Sequence, residues 1–392
     1  MTTLILVVAA PITDCCAEKP GGDTIHISTA AELAEAARGE GRFTDVPPGT
    51  TFLIRNGTYV SPDYNVLMWI KKGGTDDAPR IFEGETREGV VIVGRATIEA
   101  DNVELRSLTF DISDYDVAPD KSFNTITIAG ARNIAISRVT CTGNQAKGKM
   151  GGHIQPTMLN RRIPENLVIR NCVIEKFGRL EHPDGKLDHG IYMSAGRKVL
   201  IQNNEIRYNA GRGIQLYAHE GGWKRISDIR IIGNRIHHNG RLPYTDGVVI
   251  ATKEYAPPGS ISNVVIRNNI FFKNAHSGIR FNSQATRSIL VENNTFYHNG
   301  AGSKWGLSID IDTDGRAKDA TIRKNIFVPE YIAVFGIRYG KDLTFEDNLL
   351  EGRPGDLPIG KTYRQLLTAP EDGDFTPRDP AHKTYGAQFS NE

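Results

Sequence analysis

Cysteine is scarce in this chain, with four in 392 residues, and two of these, Cys15 and Cys16, lie close to the N-terminus. Cys141 and Cys172 alone remain in the body. An isolated pair builds no disulfide framework, so both read as small apolar core residues. An excess of one charge is also lacking. Lys and Arg number 47 against 46 Asp and Glu, which excludes a globally basic nucleic-acid-binding surface and leaves any attraction to an acidic ligand to local clusters. The apolar run from Leu4 to Pro11 is too short to span a bilayer, so no integral membrane association is expected. With the small residues up to Ala17 it has the form of a signal-peptide core, although no basic residue precedes it. Residues 1–22 are therefore expected to be a signal peptide of a secreted or periplasmic protein. Cys15 also offers a lipoprotein processing point, with Asp14 an unfavourable neighbour. Apolar runs of ten or more residues with a 3.6 period are missing from the repeated blocks described next, which argues against a helical bundle.

What is present is turn chemistry and repetition. Forty glycines and many asparagines imply many tight turns. One block recurs as VIRNCVIEKFG from Val168, LIQNNEIRYN from Leu200, IRIIGNRIHHN from Ile229, VVIRNNIFFKN from Val264, ILVENNTFYHN from Ile289, ATIRKNIFV from Ala320 and LTFEDNLLEG from Leu343. Aligning Asn171, Asn204, Asn234, Asn269, Asn294, Asn325 and Asn348 gives spacings of 23 to 35 residues, the range of a solenoid. Weaker copies begin at Asn102 and Asn133. The apolar residues alternate over four to six positions and break at Asn or Gly, so the units are strands with Asn corners that stack into a ladder. The expected fold is all-β: a single-stranded right-handed parallel β-helix over residues 43–352. An N-terminal capping segment, 23–42, would plug the first coil with a short helix opened by the capping box Thr29-Ala-Ala-Glu32. Residues 353–392 read as a tail folded over the last coil or partly loose.

A second register runs through Gly190, Gly213, Gly247, Gly278, Gly306 and Gly336. Period-2 alternation turns Ile191, Met193, Ile214, Leu216, Val248, Ile250, Ile279, Phe281, Leu307 and Ile309 inward. Tyr192, Gln215, Val249, Arg280, Ser308 and Arg338 then form one outward row, with Ser194, Tyr217, Ala251, Asn282 and Asp310 beside it. Long loops, 151–166, 178–189 and 252–260, cluster near this sheet, where a solenoid builds its site.

The segments STAAELAEA, VPPGTTFLIRNGTYV, IKKGGTDDAPRIFEGE, DHGIYMS, NAGRGIQLY and GDFTPRDPAHKTYGA resemble extracellular right-handed β-helix proteins of the polysaccharide lyase and uronate epimerase superfamily. The resemblance implies an acidic polysaccharide or oligosaccharide as partner. Chondroitinase B and related alginate lyases carry Lys and Arg on successive coils near calcium, and Lys253 and Arg280 lie on successive coils without reproducing the surrounding motif. Asp188-His189 with Arg212-Gly213 resembles the epimerase pattern but lacks its Pro. Thr245-Asp246-Gly247 matches a polygalacturonase element whose further acidic and Gly-His-Gly motifs are absent.

β-Elimination of a uronate polymer requires neutralisation of the C5 carboxylate, removal of the C5 proton and protonation of O4. On this reading Arg212 binds the carboxylate, because its planar fork stays charged, and His189 or Tyr192 moves the proton. Lys253 and Arg280 are the alternative pair. Asp188, Gln215, Tyr217, His219, Trp223, Asp246 and Trp305 are expected to contact sugar. Each alone is also what a solvated loop edge carries, and it is their convergence on one sheet that points to a site. Asp310-Ile-Asp312-Thr-Asp314-Gly315 copies half of a calcium loop, making Asp310, Asp312 and Asp314 candidate ligands for Ca2+. Two rival functions remain: an inverting glycoside hydrolase using Asp246 with Asp310 or Asp312, and a non-catalytic polysaccharide-binding solenoid. Nothing in the pattern specifies an oligomeric state.

Overall fold

A computed structural model describes residues 22–61, 66–113, 123–143, 151–219, 225–240, 245–253, 255–282, 286–300, 307–311, 318–329, 335–337, 342–351, 360–363 and 365–388. The expected signal peptide lies outside them. Three parallel sheets stack their strands in chain order, each strand pairing with its equivalent one coil later. The first sheet runs from Thr24–Ile27 to Asp342–Glu346, the second from Gly57–Val60 to Gly360–Tyr363, and the third from Val66–Ile70 to Phe335–Ile337. This is the right-handed parallel β-helix that the repeats imply. The sheets begin before residue 43, because Thr24–Ile27 already pairs with Thr51–Ile54. They continue past 352, where Gly360–Tyr363 pairs with Asn348–Glu351.

Inward side chains form one apolar core from Ile27 to Leu350. Phe271, Phe296 and Phe327 stack on successive coils with ring centroids 4.9 Å apart, the spacing of the strands themselves. The helix Ala30–Arg38 closes the N-terminal end by burying Leu33, Ala36 and Ala37 against this core. Thr29 caps it by accepting from the Glu32 N–H, while the Glu32 carboxylate reaches Ser28 N–H at 2.9 Å, one residue before the expected partner. Gly39 ends it in the left-handed conformation.

The corners divide the work between two residues. Asn203, Asn268 and Asn293 adopt positive φ and turn the chain; the next residue is buried and builds the ladder. Asn204, Asn234, Asn269, Asn294 and Asn325 each donate from the side-chain amide, at 2.9–3.1 Å, to the side-chain oxygen of the next rung, ending at Asn348. The preceding rung is Cys172, whose N–H bonds Asn204 Oδ1 at 2.9 Å. The sequence alignment on Asn171 is thus corrected by one: Asn171 has φ +54° and is the turning residue. Both body cysteines are free and buried, and burial pushes the Cys172 thiol up to about 11. A second ladder, Asn209, Asn239, Asn274 and Asn299, lines the corner between second and third sheets. Its signal was the Asn closing the blocks RYN, HHN, FKN and YHN.

Gly151–Thr157, expected to be loop, is a strand of the third sheet; its Pro156 and its lack of the Gly-apolar-x-apolar pattern hid it. Among the described residues, the C-terminal tail first adds Gly360–Tyr363 to the last coil of the second sheet. Leu366, Leu367 and Phe375 then pack on the outer face of that sheet against Ile270, Tyr297, Ile326, Val328 and Leu349, because that face, unusually, is apolar.

Asn269 serves both neighbours of its ladder, so Asn269→Ala leaves buried amide groups unpaired and should cost about 2–3 kcal/mol, whereas Asn268→Gly keeps an allowed φ and should stay within about 0.5 kcal/mol of the parent. Urea unfolding of the two variants measures the contrast.

Candidate active site

A Cβ on Gly190, Gly213 or Gly247 would approach the side-chain amides of Asn209, Asn239 and Asn274 to 2.9–3.0 Å and the carbonyl of the next coil's glycine to 2.6–2.7 Å. No side chain fits there, so these glycines let each strand of the third sheet start tight against the second Asn ladder. The residue before each glycine then comes beside the residue two after it, on the outer face. His189 and Tyr192 lie with ring centroids 5.5 Å apart, and Arg212 donates from Nη1 to Gln215 Oε1 at 3.1 Å.

In register, Tyr192 pairs with Gln215, Gln215 with Val249 and Val249 with Arg280. The following partner is Asp310, then Gly336, rather than Ser308 and Arg338. The pairing keeps Ile279 beside Ile309 and Phe281 beside Ile311. A slip of two residues preserves inward and outward alternation, so the sequence pattern alone did not distinguish the two registers.

Asp246 is the centre of the buried part. Its Oδ1 accepts from Ser277 Oγ at 2.6 Å and pairs with His276 Nδ1 at 2.8 Å, and its Oδ2 stands 4.0 Å from Arg212 Nε. Burial pushes this carboxyl up, but the His276 hydrogen bond and the charges of His276, Arg280 and Arg212 outweigh it and hold it below the usual range. Asp246 therefore positions cations, and being fully buried it does not meet a sugar directly. Sequence reasoning missed His276, although Ala-His-Ser-Gly stands where other coils carry Arg212 and Asp246.

His189 is buried, and its Nδ1 accepts from the Arg212 backbone N–H at 3.1 Å. Burial, then the charge of Arg212, push its pKa well below the ordinary 6.5, so it is neutral and holds Arg212. Asp188 is gripped by Arg179 through two side-chain bonds, 2.8 and 2.9 Å, and the backbone N–H. This grip fixes the turn Pro183–Leu187, whose Lys186 carbonyl accepts from Arg212 at 3.0 Å. Arg212 is thus set from three sides.

Tyr192 is partly exposed, and its hydroxyl lies 3.0 Å from His219 Nε2. The Tyr217 ring meets His219 edge-on at 4.8 Å. Burial and Tyr217 push the Tyr192 phenol up to about 12 against the opposing charge of Arg212, which keeps it a proton donor. Lys253 follows the strand Val248–Thr252 and donates its backbone N–H to Ala218 O. It stands four positions beyond Val249, the strand partner of Arg280, or about 13 Å along the sheet. The structure therefore joins His189, Tyr192, Arg212, Gln215, Tyr217, His219, Asp246 and Arg280, and leaves Lys253 at the His219 end. Trp223, Trp305, Asp312 and Asp314 lie outside the described residues. Among the described residues no group of three His, Cys, Asp or Glu could hold a metal, and no helix is long and apolar enough to cross a membrane.

Residues 82–296 match the family model described as right handed beta helix region. The chain belongs to this family. It is 23% identical over 280 residues to pectate lyase L of Paenibacillus polymyxa (strain SC2), covering 67% of this chain and 58% of that protein. The chain thus spans less than two thirds of that relative's length. Among solved structures it resembles a rhamnogalacturonan lyase, with a TM-score of 0.62, 15% identity and 94% and 96% of the two chains covered. It also resembles pectate lyase Pel9A, with a TM-score of 0.58, 11% identity and 95% and 90% covered. At these identities the structural likeness is one of fold.

A third buried histidine, His153, on the same sheet, pairs with Thr125 Oγ1 and the Glu175 carbonyl, and burial pushes it down to about 4. Its folded value lies below its unfolded one near 6.5, so the unfolded chain takes up the proton first. Stability is present above about pH 6.5 and is lost as pH falls towards 4. His153 alone should remove about 2 kcal/mol between pH 7 and pH 5. Urea unfolding at the two pH values measures it, and His153→Gln should shrink the difference.

Proposed function

We propose that this protein is an enzyme acting on an acidic, uronate-containing polysaccharide through abstraction of the C5 proton. The observation that carries the reading is the Tyr192–His219 pair, 3.0 Å apart, beside the two guanidiniums, Arg212 and Arg280, that surround Asp246. The guanidiniums neutralise the C5 carboxylate and stabilise the enolate-like charge that develops on it. His219 takes the C5 proton. The electron pair left on C5 forms the C4–C5 double bond, the C4–O4 bond breaks, and the Tyr192 phenol protonates the departing O4. In epimerisation the same carbanion would instead be reprotonated at C5 from the opposite face. Elimination is the preferred branch, supported by the pectate lyase among the relatives.

An inverting hydrolase built on Asp246 is less well supported, because its carboxylates must meet the glycosidic oxygen or the attacking water at the sugar and Asp246 is fully buried. Calcium at Asp310, Asp312 and Asp314 is a proposal of the same reading. Asp310 is the strand partner of Arg280. A polymer substrate fits a secreted or periplasmic setting.

Incubation with polygalacturonate and alginate should release products with the ultraviolet absorbance of a C4–C5 double bond. Tyr192→Phe and His219→Ala should each lower kcat about 100-fold or more with KM little changed. Arg212→Ala should lower kcat and raise KM, since its contact begins in the ground state. Near-wild-type turnover of both Tyr192→Phe and His219→Ala would remove the proposed pair, and new reducing ends without unsaturation would indicate hydrolysis.

A further inference from the structure

We infer that the outer row of the third sheet carries the polymer along the helix axis, and that Trp69 with Lys71 forms a distal uronate-binding subsite four coils before Tyr192. The inference rests on the acidic-polysaccharide reading above. Register pairs Trp69 with Thr97, Thr97 with Thr127 and Thr127 with Gln155. Gln155 follows Ile154, the partner of Ile191, and so stands beside Tyr192. One row therefore connects Trp69 to the proposed proton-transfer pair.

Accessibility changes along that row. Trp69 is 39% exposed, and Thr97, Thr127, Gln155 and Tyr192 are partly exposed, whereas Gln215, Val249 and Arg280 are buried. The open stretch thus ends at Tyr192, where the row becomes buried and the guanidiniums of Arg212 and Arg280 begin. Between its ends it offers hydroxyls and an amide, which bond sugar hydroxyls and carry no charge to repel an anionic chain. At the far end, the Lys71 ammonium lies 3.9 Å from the Trp69 ring centroid, although Glu99 follows Ile98, the strand partner of Ile70. An indole for the C–H face of a sugar and an ammonium for its carboxylate occur together.

Four strand steps place Trp69 about 19 Å from Tyr192, comparable to the length of four pyranose units. A chain lying along the axis would put about one unit on each coil. Oligomers too short to reach from Tyr192 to Trp69 gain nothing from the distal subsite, and longer ones do.

The test compares wild-type protein with Trp69→Ala and Lys71→Gln on polygalacturonate, on alginate, and on size-defined dimers to hexamers of the more active polymer, with folding checked by thermal melting. Trp69→Ala should raise KM about three- to tenfold for polymer and hexamer, leaving kcat unchanged and trimer kinetics unaltered. Lys71→Gln should have the same length dependence and a smaller effect, and Trp69→Phe should restore most of the loss. Equal effects of Trp69→Ala on trimer and hexamer, or none on either, overturn the subsite while leaving the proposed activity standing. Absence of both turnover and calorimetrically detected binding for both polymers overturns the activity and the subsite together.

Discussion

Everything in this molecule depends on coils repeating at the spacing of hydrogen-bonded strands. The backbone bonds of the three sheets set that spacing, and the two asparagine ladders hold it at the corners, where the backbone must turn and strand pairing stops. A side-chain amide that both donates and accepts satisfies the rung on either side, so each coil completes the hydrogen bonding of its neighbour. The apolar core adds burial but little direction. The rings of Phe271, Phe296 and Phe327 stack because the corners have already put them one strand apart.

The same constraint makes the site. Glycines forced by the second ladder bring the residue preceding each one onto the outer face, so that four successive coils contribute His189, Arg212, Asp246 and Ser277 in one line. None of these is an independent loop residue. Asp188 and His189 fix the position of Arg212 through the Pro183–Leu187 turn and the backbone N–H, while His276 and Ser277 fix Asp246, which in turn faces the two arginines. A pre-set cation pair, Arg280 buried and Arg212 nearly so, beside a partly exposed Tyr–His pair has the polarity required for moving a proton next to a carboxylate.

Burial separates the roles of side chains that look equivalent in a sequence. His189 and His219 both lie near the glycine register. His189 is kept neutral and occupied by the Arg212 backbone, so it orients; His219 meets the hydroxyl of Tyr192, so it can exchange a proton. Asp188 and Asp246 are similarly withdrawn from solvent and matched to cations. Part of the cluster that looks like substrate-binding surface is therefore the frame that holds that surface.

The sequence by itself determined the repeat, the inward-facing residues, the capping helix and the sheet on which charged and aromatic groups gather, because alternation, Asn corners and glycine positions are local and recur in every coil. It also marked Tyr192, Arg212, Gln215, His219 and Asp246 as members of one surface. Tertiary structure alone decided the rest. Which of two adjacent corner residues turns the chain and which takes the place of a rung depends on bonds to the next coil, as Asn171 and Cys172 demonstrate. Whether Asp310 or Ser308 stands beside Arg280 depends on which apolar residues stack, since a two-residue slip leaves the alternation intact. The partnership of His276 with Asp246, and the neutrality of His189, arise between residues 23 to 30 positions apart, where strand pairing and burial, rather than spacing along the chain, set the distance.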